Sequence, residues 1–306
     1  MHRSARRTAH DGYAALAPLY DEFVAHPGYR RWVLAIEGTA RTLGVRGVRL
    51  LDVGCGTGRS FAPLLERGYL VSACDPVAPM LDRARRRSPR RVRFADALAT
   101  EAPAGPFDLV LALNDVVNCI PDARELRRTL AAVAERLADG GVFAFDVTPP
   151  RSHARLFARP SRRETARAAF AWCPDHGAGP GRHVAQLRVR EPGRPEAISV
   201  HRQRTVGAGE LRAALRDAGL RVVAVCGCDN AGHLLPGRAG AFKHVLFTQR
   251  IHPRRRREEV PDAARAQAAP QGRRHAGHRQ GRLSGPVGAA GAAAPTASPT
   301  EAHDGR

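Results

Sequence analysis

Lysine is almost missing from this chain. Of 49 basic residues only Lys243 is lysine, and arginine supplies the rest. A formal net charge of +20 over 306 residues would ordinarily suggest a nucleic-acid partner. Near-exclusive arginine beside abundant Ala, Gly and Pro instead fits GC-rich coding. The arginines are spread along the chain, with clusters at Arg83–Arg91 and Arg254–Arg257. A nucleic-acid partner is therefore not expected. Long apolar runs are also absent: nothing reaches the about 18 residues of a membrane-spanning helix. The N-terminus is polar and basic and lacks the apolar segment of a secretory signal. The six cysteines include no Cys-x-x-Cys pair. Cys226-Gly-Cys228 has no second Cys or His pair at finger spacing, so no metal is expected. Together these absences predict a cytoplasmic protein with reduced thiols. The 43% of hydrophobic residues suffices for one large α/β core with an insertion.

Leu50-Leu-Asp-Val-Gly-Cys-Gly-Thr-Gly58 is the most informative stretch. An apolar strand (Val48, Leu50, Leu51, Val53) breaks into glycines at 54, 56 and 58, then a helix over Ser60–Arg67. Glycine lets the backbone turn tightly and approach a ligand with no side chain between. Strand, turn and helix make a nucleotide-type pocket at the carboxyl end of a strand. Asp52 stands where a carboxylate can face that cleft. Asp75, 21 residues after Gly54, ends a second apolar strand and is placed to accept both ribose hydroxyls of an adenosine. A dinucleotide fingerprint needs glycine or alanine at position 59, where Arg59 stands, which argues against NAD.

Leu50–Gly58, followed by Asp75 and Met80-Leu81, resembles the class I S-adenosylmethionine (SAM)-dependent methyltransferases from about residue 13 to 250. The resemblance implies a Rossmann-like, mostly parallel seven-stranded sheet with an antiparallel last strand. SAM is then the cofactor, and Tyr20, Asp52, Gly54, Cys55, Gly56, Asp75, Pro76, Asp96, Ala97 and Asn114 are implied to bind it. Asp96 would meet the adenine amino group, and the Tyr13–Asp21 segment would cap the pocket. A narrower likeness, to natural-product methyltransferases, implies a small-molecule acceptor methylated on O or N. An RNA methyltransferase and a non-catalytic SAM-binding protein stay open.

Along the chain, residues 1–10 and 252–306 are polar and basic, with too little apolar surface to fold. Residues 11–150 carry the SAM-binding core, including the continuous apolar strand Phe107–Leu113, a helix Ala123–Leu137 ended by Gly140-Gly141, and the strand Val142–Asp146. Residues 151–206 change rhythm. Extended segments Thr165–Trp172, His183–Arg190 and Ala197–Arg204 predict an antiparallel β lid over the pocket. Residues 207–251 return to the core with a helix, a strand and a closing hairpin. An acceptor that must lose a proton needs a base, and His153, His183, His201 and His233 are the candidates, His201 foremost.

Overall fold

The computed structural model describes residues 12–25, 27–88, 91–229, 231–237 and 241–251. The expectations for residues 1–10 and 252–306 lie outside them. Twelve strands are formed among the described residues. They are β1 (Arg49–Val53), β2 (Leu70–Asp75), β3 (Val92–Asp96), β4 (Phe107–Ala112), β5 (Leu137–Val147) and β6 (Ser161–Glu164). Then follow β7 (Ala169–Asp175), β8 (Arg182–Arg190), β9 (Ala197–Arg204), β10 (Leu220–Cys228), β11 (Leu234–Pro236) and β12 (Lys243–Arg250).

Eight strands form one sheet in the order β11-β10-β12-β5-β4-β1-β2-β3. The run from β5 to β3 is parallel, and β12 lies antiparallel to both β5 and β10. The reversed last strand is therefore as expected, but the count is eight rather than seven. The extra strand, β11, is three residues ending in proline, pairs only at Gly227 and Cys228, and sits at the sheet edge where proline is tolerated.

The parallel centre follows from composition. Successive β4 residues alternate between two apolar layers, Val110 and Ala112 into one and Leu109 and Leu111 into the other. Leu126, Leu130 and Val133 of the helix Ala123–Arg136 and Leu211 and Leu215 of Ala208–Asp217 cover the first layer. Trp32, Val33 and Ile36 of Tyr29–Thr42 and Leu81 of Ala78–Arg87 cover the second. Each such fully buried side chain contributes about 1.5–3 kcal/mol. This is a doubly wound α/β architecture, whose ligands lie beyond the carboxyl ends of the parallel strands.

Two boundaries differ from expectation. The helix capped by Asp122, whose side chain accepts from the Glu125 N–H, stops at Arg136 rather than at Gly140-Gly141. The Arg136 guanidinium there donates to the carbonyls of Thr100, Ala102 and Pro103, tying the last turn to the neighbouring loop. Gly140 and Gly141 belong to β5, where a Cβ on Gly141 would come within 2.9 Å of the Phe107 carbonyl oxygen. The helix after the glycine loop spans only Ala62–Glu66.

The inserted region opens with a helix, Pro150–Leu156, where only extended segments were expected. It continues as an antiparallel sheet, β6-β7-β8-β9. Three of these strands were expected. β6 reads Ser-Arg-Arg-Glu and is exposed along its length, so it carries no apolar alternation to reveal it. Phe170, Leu187 and Val189 of this sheet pack on Leu16 and Leu19 of the N-terminal segment. Ala17 in turn packs on Val77 and Met80 of the large sheet's layer. The N-terminal segment thus lies between the small sheet and the start of the helix Ala78–Arg87.

Candidate active site

The chain leaves β1 into Gly54, Gly56 and Gly58, with φ of +66°, +55° and +84°. Only glycine adopts these values freely. A Cβ on Gly54 would meet the Val116 side chain at 2.7 Å, and one on Gly58 the Phe61 ring at 2.4 Å. Gly56 is different: its Cβ would find only Tyr20, at 4.0 Å, so the backbone here borders open space. Asp75, at the tip of β2, supports the loop. One carboxylate oxygen accepts the Gly56 N–H at 2.8 Å and the other the Val77 N–H at 2.9 Å. Each oxygen retains a second lone pair. Burial pushes this carboxyl up to about 6, against the two N–H donors.

Above the loop is a cavity of about 340 Å³. Gly54, Cys55, Gly56, Asp75 and Pro76 line it on one side, and Ala97, Leu98 and Ala99 continue that wall after β3. Tyr13, Tyr20 and Tyr29 close it from the N-terminal segment, and Asn114, Val116 and Cys119 form the wall beyond β4. Asn114 Nδ2 donates to the Tyr20 hydroxyl at 2.9 Å, and the Tyr13 hydroxyl lies 3.4 Å from Cys119 Sγ. Burial raises all three tyrosines and Cys55 above their ordinary range and pushes Cys119 up to about 12, so these groups stay protonated. Arg59 brings positive charge to the wall, its guanidinium 4.5 Å from the Tyr29 ring centroid and donating to the Val24 carbonyl.

Eight of the residues expected around a cofactor therefore share this cavity: Tyr20, Gly54, Cys55, Gly56, Asp75, Pro76, Ala97 and Asn114. Two residues expected around the cofactor, Asp52 and Asp96, do not line it. Asp52 is fully buried beneath the loop, where one oxygen accepts from Ser60 Oγ at 2.5 Å. Its second oxygen is buried with no partner among the described residues, and burial pushes the carboxyl up to about 7. Asp96 is exposed on the edge strand β3, in register with Asp75.

His201 is 3% exposed, hydrogen-bonds Ser199 at 2.9 Å, and packs against Tyr13 at 4.8 Å and Trp172 at 5.6 Å between ring centroids. Burial pushes it down to about 4, so its imidazole is neutral near pH 7 and packs behind the wall. His153 is likewise pushed down to about 4 by burial and stacks on His183. His233 pairs with Asp229 in the closing hairpin. None of the four histidines lines the cavity. Nor does any residue of 151–206, so the small sheet is no direct lid: it backs the N-terminal cap that does close the cavity.

One cluster escaped the sequence reading. Lys243 Nζ lies 2.8 Å from Asp115 and 2.9 Å from Asp146, with Thr148 Oγ1 donating to Asp115 at 2.5 Å. Burial disfavours the ammonium, yet the two carboxylates raise it above the ordinary lysine range. Burial of Asp115 is likewise outweighed by Lys243, which holds that carboxyl low. The solitary lysine among arginines was the available signal.

Residues 50–141 match the family model described as a methyltransferase domain. Residues 50–141 carry a methyltransferase domain. A putative methyltransferase of Geobacillus sp. (strain WCH70) is 30% identical over 140 residues, covering 44% of this chain and 57% of that protein. The chain thus spans little more than half the length of that curated relative. An S-adenosylmethionine-dependent methyltransferase from Clostridium acetobutylicum superposes with a TM-score of 0.67 at 19% identity, covering 76% of this chain and 97% of that one. The sugar N-methyltransferase KedS8 from Streptoalloteichus superposes at 0.59 and 21% identity, covering 76% and 93%. At these identities the likeness is one of fold.

SAM is the cofactor of this family, and the methyltransferase domain's residues suit it. Gly56 presents bare backbone to the cavity, and Asp75 has lone pairs free at its wall. Arg59 occupies the position where a dinucleotide fingerprint needs glycine or alanine. Among the described residues no His/Cys/Asp/Glu group could hold a metal ion, and no helix is long and apolar enough to cross a membrane.

Proposed function

We propose that this chain transfers a methyl group from SAM to a nitrogen or oxygen of a small-molecule acceptor. The observation that carries the reading is the cavity itself. It lies at the carboxyl ends of β1, β2 and β4, floored by a glycine loop and with Asp75 at its wall. Asp75 accepts the ribose hydroxyls, while Gly54, Cys55 and Gly56 let the cofactor rest against backbone. Pro76 and Ala97 flank its adenosine, and Tyr20 and Asn114 bound its far end. Asp96 meets the adenine amino group from the rim, consistent with its exposure at the end of β3. Asp52 acts only indirectly, by holding Ser60 at the cavity wall.

Bound SAM supplies a methyl group already activated by its sulfonium. The chain's task is alignment, and orientation can account for about 7–11 kcal/mol of barrier reduction. A buried neutral His201 behind Tyr13 supports packing in place of proton abstraction. With no histidine on the cavity wall, the reading favours an acceptor that brings its own lone pair, such as a neutral amine, over an alcohol that must first lose a proton. KedS8, named as a sugar N-methyltransferase, is an instance of such an acceptor class on this fold.

Methyl-labelled SAM offered to amino sugars, small amines and hydroxylated acceptors tests the proposal. Label on an amine at rates above those for alcohols is expected. Label transferred to RNA alone would replace the small-molecule reading.

A further inference from the structure

The wall beyond β4 rests on buried charge. Asn114 and Asp115 leave the strand with φ of +69° and +68°. Non-glycine residues persist in this left-handed region only where their surroundings over-determine it. Here they do. Asp146, near the end of β5, accepts the Asn114 N–H at 2.5 Å and the Asp115 N–H at 3.1 Å. Lys243, the first residue of β12, reaches both Asp146 and Asp115, and Thr148 holds the remaining Asp115 oxygen. A compact ammonium with three donors fits between two carboxylates where a planar guanidinium fork would spread. On the cavity side of this turn, Asn114 donates to the Tyr20 hydroxyl and Val116 packs against Gly54.

We infer that Lys243 is a positioning residue: its cation, clamped between Asp115 and Asp146, fixes the left-handed turn that presents Asn114 and Tyr20 to the amino-acid end of the cofactor. The inference rests on the SAM reading above. Sheet order supplies the direction. β1 lies between β2 and β4, so a ligand with its ribose at Asp75 crosses the glycine loop and meets Asn114 with the part beyond the ribose. The cation touches neither the cavity nor the ligand and acts through the turn.

Two cofactor products separate the ends of the site: S-adenosylhomocysteine carries the amino-acid portion, and 5′-methylthioadenosine lacks it. Their affinities are compared by calorimetry in the full chain and its variants. Lys243→Met should weaken S-adenosylhomocysteine about tenfold or more while leaving methylthioadenosine within about twofold. Because Lys243→Met leaves two buried carboxylates facing each other, Asp115→Asn is the second variant. It keeps the Lys243–Asp146 pair and a residue tolerant of positive φ, and should show the same split at about threefold or more. Equal weakening of both ligands, or of neither, in a folded variant overturns the inference alone. A native chain that binds neither ligand overturns the SAM reading and the inference with it.

Discussion

Asp75 does two jobs with one carboxylate: it ties the glycine loop, through Gly56, to its own turn, through Val77, and it has lone pairs left at the cavity wall. Charge-assisted hydrogen bonds of this kind are worth about 1.5–3 kcal/mol, so Asp75→Ala should lower SAM affinity roughly ten- to over a hundred-fold. Calorimetry on the folded variant checks this, and unchanged affinity would remove Asp75 from the cofactor site. Its raised pKa adds a pH signature. Ribose hydroxyls donate to the ionised carboxylate, whose folded pKa stands near 6 because of burial. Affinity should therefore hold above that pH and fall as pH drops through it. A flat binding profile from pH 8 to 5 would contradict the assignment.

At this scale the sequence was most legible where the chemistry is local. The glycines, Asp75 and Arg59 lie within 22 residues of one another, so motif spacing alone placed them. Asp52 misled because position in a motif does not reveal whether a strand residue reaches the cavity: Asp52 is fully buried, and its partner Ser60 lines the wall in its place. Lys243 and Asp146, 97 residues apart, meet only because β12 pairs antiparallel with β5, a register no local pattern encodes.

Among the elements, the N-terminal segment and the small sheet work as one cap. Leu16 and Leu19 bury against Phe170, Leu187 and Val189, and Tyr13 and Tyr20 project from the same segment onto the cavity wall. The rhythm of β7, β8 and β9 was visible in alternating apolar residues. That the sheet backs the cap, with no residue of its own on the cavity wall, is a tertiary fact. Replacing residues 161–204 with a Gly/Ser linker should thus strip cover from Leu16 and Leu19, lower the melting temperature and weaken SAM binding together. Retained SAM affinity would show that the cap stands without its backing.

His201 gives this packing a pH dependence. Its folded pKa of about 4 lies below the ordinary value of 6.5, so the unfolded chain takes up a proton that the native one refuses. The resulting stability is fully present above pH 6.5 and is lost as pH falls toward 4, by at most about 1.4 kcal/mol per pH unit. His153 contributes in the same direction, whereas Asp52 and Asp75, raised by burial, oppose it. His201→Phe isolates the effect: its melting temperature should fall less steeply below pH 6.5 than the native chain's. Parallel pH profiles would mean the imidazole is solvated.

For the molecule as a whole, the fold followed from β4-like apolar runs alternating with amphipathic helices, and the reversed β12 came from the family resemblance. Charge says less than its magnitude suggests. Many of the arginines within the described residues are spent on structure: Arg49 on Asp108, Arg136 on loop carbonyls, Arg204 on Glu210 and Ile120. The central claim, that the cavity above the glycine loop is built for SAM, is tested most directly by titrating the full chain with S-adenosylhomocysteine and with NAD in a calorimeter. Saturable one-to-one binding of the first and none of the second is the predicted result. No binding of S-adenosylhomocysteine, or equal binding of both, would contradict it.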